Sequence, residues 1–283
     1  MTIRNALTVD VEDYFHVSAF SESIDHKDWD SYPLRVENNT RRLLDLFDQH
    51  GVKATFFVLG WVAERTPGLV REIASRGHEV ACHGYSHQLV YNQSPRVFRE
   101  ETIRSKILLE DIIQSPVNGY RAASYSITGR SLWALDIIAD AGFEYDSSIF
   151  PVHHDRYGIP DASVYPHRLK TPNGNWLVEF PLSTARIFGL RLPVAGGGYF
   201  RLYSYAITKA GLNQINRRQK PFIFYLHPWE IDTEQPKISA GWKSRFRHYN
   251  NLDKCEHRLR RLMNDFNFGT AAAVLKGLDL VAE

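Results

Sequence analysis

Disulfides cannot hold this chain together, because Cys82 and Cys255 are the two cysteines in 283 residues and such a pair is no framework at that length. An excess of one charge is missing as well. Lys and Arg number 34 against 32 for Asp and Glu, a net +2, which gives no argument for nucleic acid. The densest basic run, Arg217-Arg218-Gln219-Lys220, reads as a solvated helix end rather than an arm for nucleic acid or a membrane surface. No apolar run approaches the ~20 residues of a membrane span. The first fifteen residues hold Arg4, Asp10, Glu12 and Asp13, so the apolar core of a signal segment is not found there. The expectation is a cytoplasmic protein, which a partner complex could still hold at the inner membrane. Internal repeats and low-complexity tracts are also missing. What is plentiful is apolar and aromatic residues, 43% and 13% of the chain, a composition of ordinary globular proteins, and α/β chains of this length form one domain.

Periodicity shows an alternation of strands and helices. Residues 6–11 read as a short apolar strand ending in carboxylates. Val36, Thr40, Leu43, Leu44 and Phe47 recur at helical spacing, and Gly51 ends that helix. Strands are expected at 54–59, 79–82, 119–123 and 143–146, and helices at 67–76, 95–113 and 130–140. The long helix at 95–113 is expected to put Val97, Ile103, Ile107, Leu108 and Ile112 on its core side. This order predicts a parallel sheet or barrel with its ligand site at the carboxyl ends of the strands. Residues 150–200 break the rhythm with Pro151, Pro160, Pro166, Pro172 and Gly196-Gly197-Gly198 around one strand at 177–182. They predict an ordered insertion over the site mouth, carrying Tyr157, Tyr165, Trp176 and Tyr199. A helix at 203–216, a strand at 222–226 and helices at 252–266 and 270–278 complete the reading.

Chemistry gathers at the strand ends. His83 and His87 stand four residues apart and can converge on one divalent cation if the chain turns into a helix between them; the plain alternative is two polar residues near a turn. Cys82 alternates away from that point and reads as a small buried apolar residue. Asp10, Glu12 and Asp13 end the first strand, and a late apolar strand delivers His227.

In that order, Asp10-Val11-Glu12-Asp13, His83 to His87, Arg121-Ala122-Ala123-Ser124-Tyr125 and Leu226-His227 resemble the motifs of the NodB-type polysaccharide deacetylases, carbohydrate esterase family four. The resemblance covers residue 5 to about 230. The wording of residues 10–15, 83–87 and 226–230, with the extension at 248–252, is similar to the bacterial subfamily found with exopolysaccharide and exosortase gene clusters.

The resemblance implies a distorted, incomplete (β/α) barrel in one domain over 1–235, with 150–200 inserted over the site and a carboxyl-terminal extension, 236–283, packed on the barrel. It implies metal-dependent hydrolytic N-deacetylation of sugars in an exopolysaccharide or its precursor. Asp10 would be the base, Arg121 its charge partner and His227 the general acid. His83, His87 and one carboxylate would hold the ion. Position 11 is Val where the family has an aspartate, so that carboxylate is Glu12 or Asp13. Glu12 shares a face with Asp10 if the strand continues, whereas Asp13 needs a bend; the shorter arm weighs toward Asp13. Mixed His and carboxylate ligands suit Zn, and also Co, Ni, Mn or Fe. The carboxylate that holds His227 is expected to be Glu179 or Asp146. An amide N–H near Ser124 or Tyr125 would face the oxyanion. Tyr125, Leu226 and Trp229 are expected against substrate, an N-acetylated polysaccharide or oligosaccharide. Two other readings are a small-molecule amidohydrolase of the allantoinase-like branch, disfavoured by the retained His-x-x-x-His, and a non-catalytic glycan-binding module, disfavoured by the full set of ligand types.

Overall fold

The computed structural model describes residues 3–154, 157–187 and 189–281. Its first half runs β1 (Arg4–Val11), α1 (Val36–Gln49), β2 (Thr55–Val58), α2 (Gly60–Arg65), α3 (Pro67–Ser75), β3 (Glu79–Cys82), α4 (Pro95–Ile113), β4 (Gly119–Tyr120), α5 (Trp133–Asp140) and β5 (Tyr145–Asp146). The second half runs β6 (His167–Lys170), β7 (Trp176–Glu179), β8 (Thr184–Ile187), β9 (Leu190–Pro193), α6 (Gly197–Leu202), α7 (Tyr205–Arg217), β10 (Ile223–Leu226), α8 (Trp242–Tyr249), α9 (Leu252–Asp265), β11 (Asn267–Gly269) and α10 (Ala271–Lys276).

Hydrogen-bonded neighbours follow the order β10-β1-β2-β3-β4-β5-β7-β6, and β11 pairs with the first residues of β1. All these pairs are parallel except β6 against β7. No pair joins β6 to β10 among the described residues, so the sheet does not close into a barrel. β8 and β9 form a separate hairpin.

The period-two geometry of strands divides the core in two. Leu7, Val9 and Val11 of β1, Phe56 and Val58 of β2, and Phe224 and Leu226 of β10 belong to the cluster shared with the helices. Ala6, Phe57, Ala81, Ile223 and Tyr225 face the other way, into a second cluster. Asp10 has the inner register of Ala6, which is why a carboxylate fits the end of an apolar strand.

Two expectations need correction. On α4 the buried residues are Phe98, Thr102, Ser105 and Leu109, whereas Ile103 and Ile107 are exposed and Leu108 and Ile112 lie at the margin of the core. The helix packs closely on α2, where a Cβ on Gly60 would stand 2.6 Å from the Ser105 hydroxyl. Small side chains face the neighbour so that the backbones can approach, and hydrophobicity therefore pointed to the wrong face. The second correction concerns 150–200. Trp176 is 64% exposed at the sheet edge, under the Lys170 ammonium, and Tyr165 accepts from Arg218; neither lines the cleft described below.

Candidate active site

Where β1 ends, the chain pinches: the Glu12 amide donates to the Asp10 carbonyl at 3.0 Å. Asp10 and Glu12 both line one cleft of about 400 Å³. Asp13 does not. Its carboxylate accepts from the amides of Tyr14, Arg35 and Val36 at 2.9, 2.6 and 2.8 Å, closing the amino end of α1, whose first N–H groups otherwise lack partners. Burial pushes the Asp13 carboxyl up to about 6 against the lowering effect of those bonds. The leaning toward Asp13 as the metal arm is corrected accordingly: its oxygens are engaged elsewhere.

Glu12 meets the histidines instead. One ligand atom each from Glu12, His83 and His87 lie within 4.8 Å of one another. The chain reaches His87 by a turn through Gly84 (φ 72°) and a left-handed His87 (φ 52°), not by the helix expected. His83 Nδ1–H donates to the Arg121 carbonyl at 2.8 Å, which leaves Nε2 with its lone pair free for a ligand bond. Burial lowers His83 to about 4, so the ring is neutral at pH 7. Burial alone would raise Glu12, but the imidazoles of His87, His227 and His83 outweigh it and hold the carboxyl well below the usual range. Glu12 Oε2 stands 2.8 Å from His87 Nε2, yet it is buried without a hydrogen-bond donor. A carboxylate and two imidazoles around one point fit a divalent cation such as zinc, which would satisfy all three.

Behind this group Asp10 is fixed from below. Arg121, fully buried, donates from Nη1 to Asp10 Oδ1 at 2.6 Å and to the Thr8 hydroxyl at 2.8 Å. Its other nitrogens are held by the Ser147 carbonyl and hydroxyl, and its guanidinium lies 4.0 Å from the Phe57 ring centre. Tyr125 lines the cleft, and its hydroxyl donates to Asp10 Oδ2 at 3.3 Å. Ser124 and Tyr125 both have positive φ, 49° and 56°, a costly conformation for non-glycine residues that clusters at functional sites. The Tyr125 amide is engaged by the Ala122 carbonyl at 3.1 Å; of the two amides considered for an oxyanion, that of Ser124 has no partner among the described residues.

On the opposite side, His227 Nε2 stands 3.4 Å from Glu12 Oε1 and 4.0 Å from Asp10 Oδ2. Its carboxylate partner is Glu230, with Nδ1 to Oε1 at 2.8 Å, and this corrects the choice of Glu179 or Asp146. Those two are a buried carboxyl pair at the ends of β7 and β5, where Glu179 accepts from the Ile149 amide at 3.0 Å. Burial and the neighbouring Asp146 drive Glu179 well above its usual range. Glu179 is engaged by the Ile149 amide and the Asp146 carboxyl, and no contact joins it to His227 among the described residues. Glu230 comes from a capping box: it is the third residue of a 3₁₀ turn capped by His227, and its Oε1 also accepts the His227 amide at 3.1 Å. His-Pro-Trp-Glu was a readable signal for it. Burial would depress His227, but Glu12, Glu230 and Asp10 raise it to about 9.

Arg201, His248 and Gln235, which sequence reasoning missed, complete this side together with Trp229, which it expected against substrate. Arg201, also buried, pairs with Glu230 Oε2 at 2.6 Å and donates to the carbonyls of Arg247, His248 and Asn250. Gly196, at φ 126°, permits the approach that starts α6, since a Cβ there would collide with the Tyr225 carbonyl. Trp229 lies between His227 and His248, with ring centres 5.0 and 4.2 Å away, and its indole N–H donates to Glu12 Oε1 at 3.3 Å. Gln235 accepts the His248 Nε2 proton at 2.6 Å. Leu226, expected against substrate, is in the helix-side core; strand alternation puts Tyr225 and His227 on the cleft face. Tyr157 and Tyr199, their hydroxyls 3.2 Å apart, line the upper wall with Phe246 and Arg247.

Comparison with known proteins divides the chain near its middle. Residues 28–145 match the family model described as polysaccharide deacetylase. That part of the chain is similar to the polysaccharide deacetylases. Residues 147–276 match a domain of unknown function, DUF3473. The peptidoglycan-N-acetylglucosamine deacetylase of Bacillus cereus is 40% identical over 70 residues, 25% of this chain and 26% of that protein. A chitooligosaccharide deacetylase of Bradyrhizobium is 30% identical over 100 residues, 35% of this chain and 43% of that protein. The chain thus spans less than half the length of these curated relatives. A provisionally named polysaccharide deacetylase from Mycobacterium smegmatis has a similar fold, with a TM-score of 0.66 at 20% identity, covering 98% of this chain and 90% of that one. His83, His87 and Arg121 fall in the deacetylase match, and His227, Trp229, Glu230 and Arg201 in the DUF3473 match. Because β7 of the second segment pairs with β5, and β10 with β1, which precedes both matches and pairs with β2, the two matched segments share one sheet and one cleft.

Proposed function

We propose that this protein is a metal-dependent hydrolase that removes N-acetyl groups from aminosugar residues of a polysaccharide. The observation that carries this reading is the convergence, in one cleft, of the Glu12, His83 and His87 ligand atoms with a carboxylate on Arg121 on one side and a carboxylate-held histidine on the other. The related deacetylases support the same reaction class. A cation at the three ligands, zinc being the proposed one, would polarise the acetyl carbonyl and acidify water.

Around that ion the side chains have separate tasks. Asp10, its orientation fixed by Arg121 and Tyr125, takes a proton from the attacking water. The Ser124 amide is the free donor for the oxygen that gains charge. His227, whose protonated form Glu230 and Asp10 favour against burial, gives its Nε2 proton to the amine nitrogen as the C–N bond breaks. Glu230 and Arg201 hold that imidazole in position, and Trp229 does the same for Glu12. The exopolysaccharide setting belongs to the same proposal and is supported by the wording of residues 10–15 and 226–230.

Loss of the acid should depend on the leaving group. An amine must be protonated before it departs, whereas a phenolate need not be, so His227→Ala is expected to slow N-acetyl hydrolysis by about 10²- to 10⁴-fold and an aryl acetate far less, with the ion retained. Equal slowing of both substrates would remove His227 from the acid role. The reaction class itself is tested by acetate release from N-acetylhexosamine oligomers of increasing length. The tyrosines and Phe246 along the cleft give sugar rings stacking surface, so the specificity constant should rise from monomer to oligomer. An ion-loaded protein that releases no acetate at any length would overturn the proposal.

A further inference from the structure

Helix α8 presents an exposed apolar face. Trp242 and Phe246, four residues apart and so on one side of the helix, are 75% and 54% exposed, and Leu202 at the end of α6 is 51% exposed. Phe246 and Leu202 also line the cleft, which puts the patch at its mouth. Its own stretch of chain is basic. Lys237, Lys243, Arg245 and Arg247 lie in the stretch 235–252, which contains no Asp or Glu, and none of the four has an ion-pair partner among the described residues.

Indole and phenyl side chains ringed by cations match the interfacial region of a bilayer that carries negative headgroups. A second copy of the chain fits poorly, since a two-fold contact through this face would set four cations against their own copies. We infer that α8 and the end of α6 dock the protein on an anionic phospholipid surface with the cleft mouth turned toward it. Taken with the proposed function, to which this last step alone is tied, the glycan would be deacetylated while still carried at a membrane surface. The net charge of +2 hides this feature because acidic residues elsewhere balance it.

The test is co-sedimentation of the full chain with phosphatidylcholine vesicles that do or do not contain phosphatidylglycerol. Binding is expected with the anionic vesicles only and should fade as salt is raised. Lys243→Glu/Arg245→Glu should weaken it by about tenfold or more, and Trp242→Ser should weaken it as well. Acetate release from a soluble oligomer should be unchanged in Trp242→Ser, so failure of the docking surface and failure of the enzymatic reading are told apart. Binding to neither vesicle, equal binding to both, undiminished binding by these variants, or a dimer that Trp242→Ser disperses would each overturn the inference.

Discussion

Glu12→Gln is expected to empty the metal site, while its neighbour's variant Asp13→Ala keeps the ion and loses stability instead. The amide of glutamine is a poor ligand where a carboxylate charge is needed, and the two imidazoles then stand alone. Removing several kcal/mol of Lewis-acid stabilisation corresponds to a loss of about 10³-fold or more in turnover. Asp13 instead accepts three backbone amides at the entrance to α1. Leaving buried N–H groups without an acceptor costs about 1–3 kcal/mol each when water cannot replace it, so unfolding should become easier by at least about 3 kcal/mol for the set of three. Metal per chain by atomic emission, together with a urea midpoint, separates the two residues. A metal-free but folded Asp13→Ala, or a fully loaded Glu12→Gln, would reverse their assignment.

Asp10→Asn should leave the ion in place, because His83, His87 and Glu12 are untouched, and should lower the rate by about 10²- to 10⁴-fold, the contribution of a positioned general base. The same exchange removes the charge opposite the buried Arg121, paired at 2.6 Å. Breaking one side of a buried pair costs about 3–5 kcal/mol, so rates must be compared at a temperature where both proteins remain folded. The loss should appear in kcat at saturating oligomer. Wild-type kcat with the ion bound would show that Asp10 is a structural partner of Arg121 and nothing more.

Much of the site was written in local patterns. Strand alternation in β1, β2 and β10 separates the inner from the helix-side residues, and it places Asp10, Tyr225 and His227 on one face. Glu12 reaches the same cleft as Asp10 not by continued strand alternation but through the pinch that follows Val11, which no local pattern announced. Asp13 could not be assigned locally, because its partners Arg35 and Val36 belong to the next helix. Glu230 was legible as the fourth residue of His-Pro-Trp-Glu. Arg201 and His248 were not, since a buried cation bonded to carbonyls at 247–250 leaves no periodic or motif-like trace. On α4, close packing through Ser105 and Gly60 reversed what hydrophobicity alone suggested.

The central claim is that one ion held by Glu12, His83 and His87 is required to release acetate from an N-acetylated glycan. Titrating zinc into chelator-treated protein, while following acetate release from an N-acetylhexosamine oligomer, tests it most directly. Activity should start near zero, rise in proportion to bound metal and level off at one ion per chain. Acetate release that is undiminished in the stripped protein, or that does not follow metal occupancy, would contradict the account.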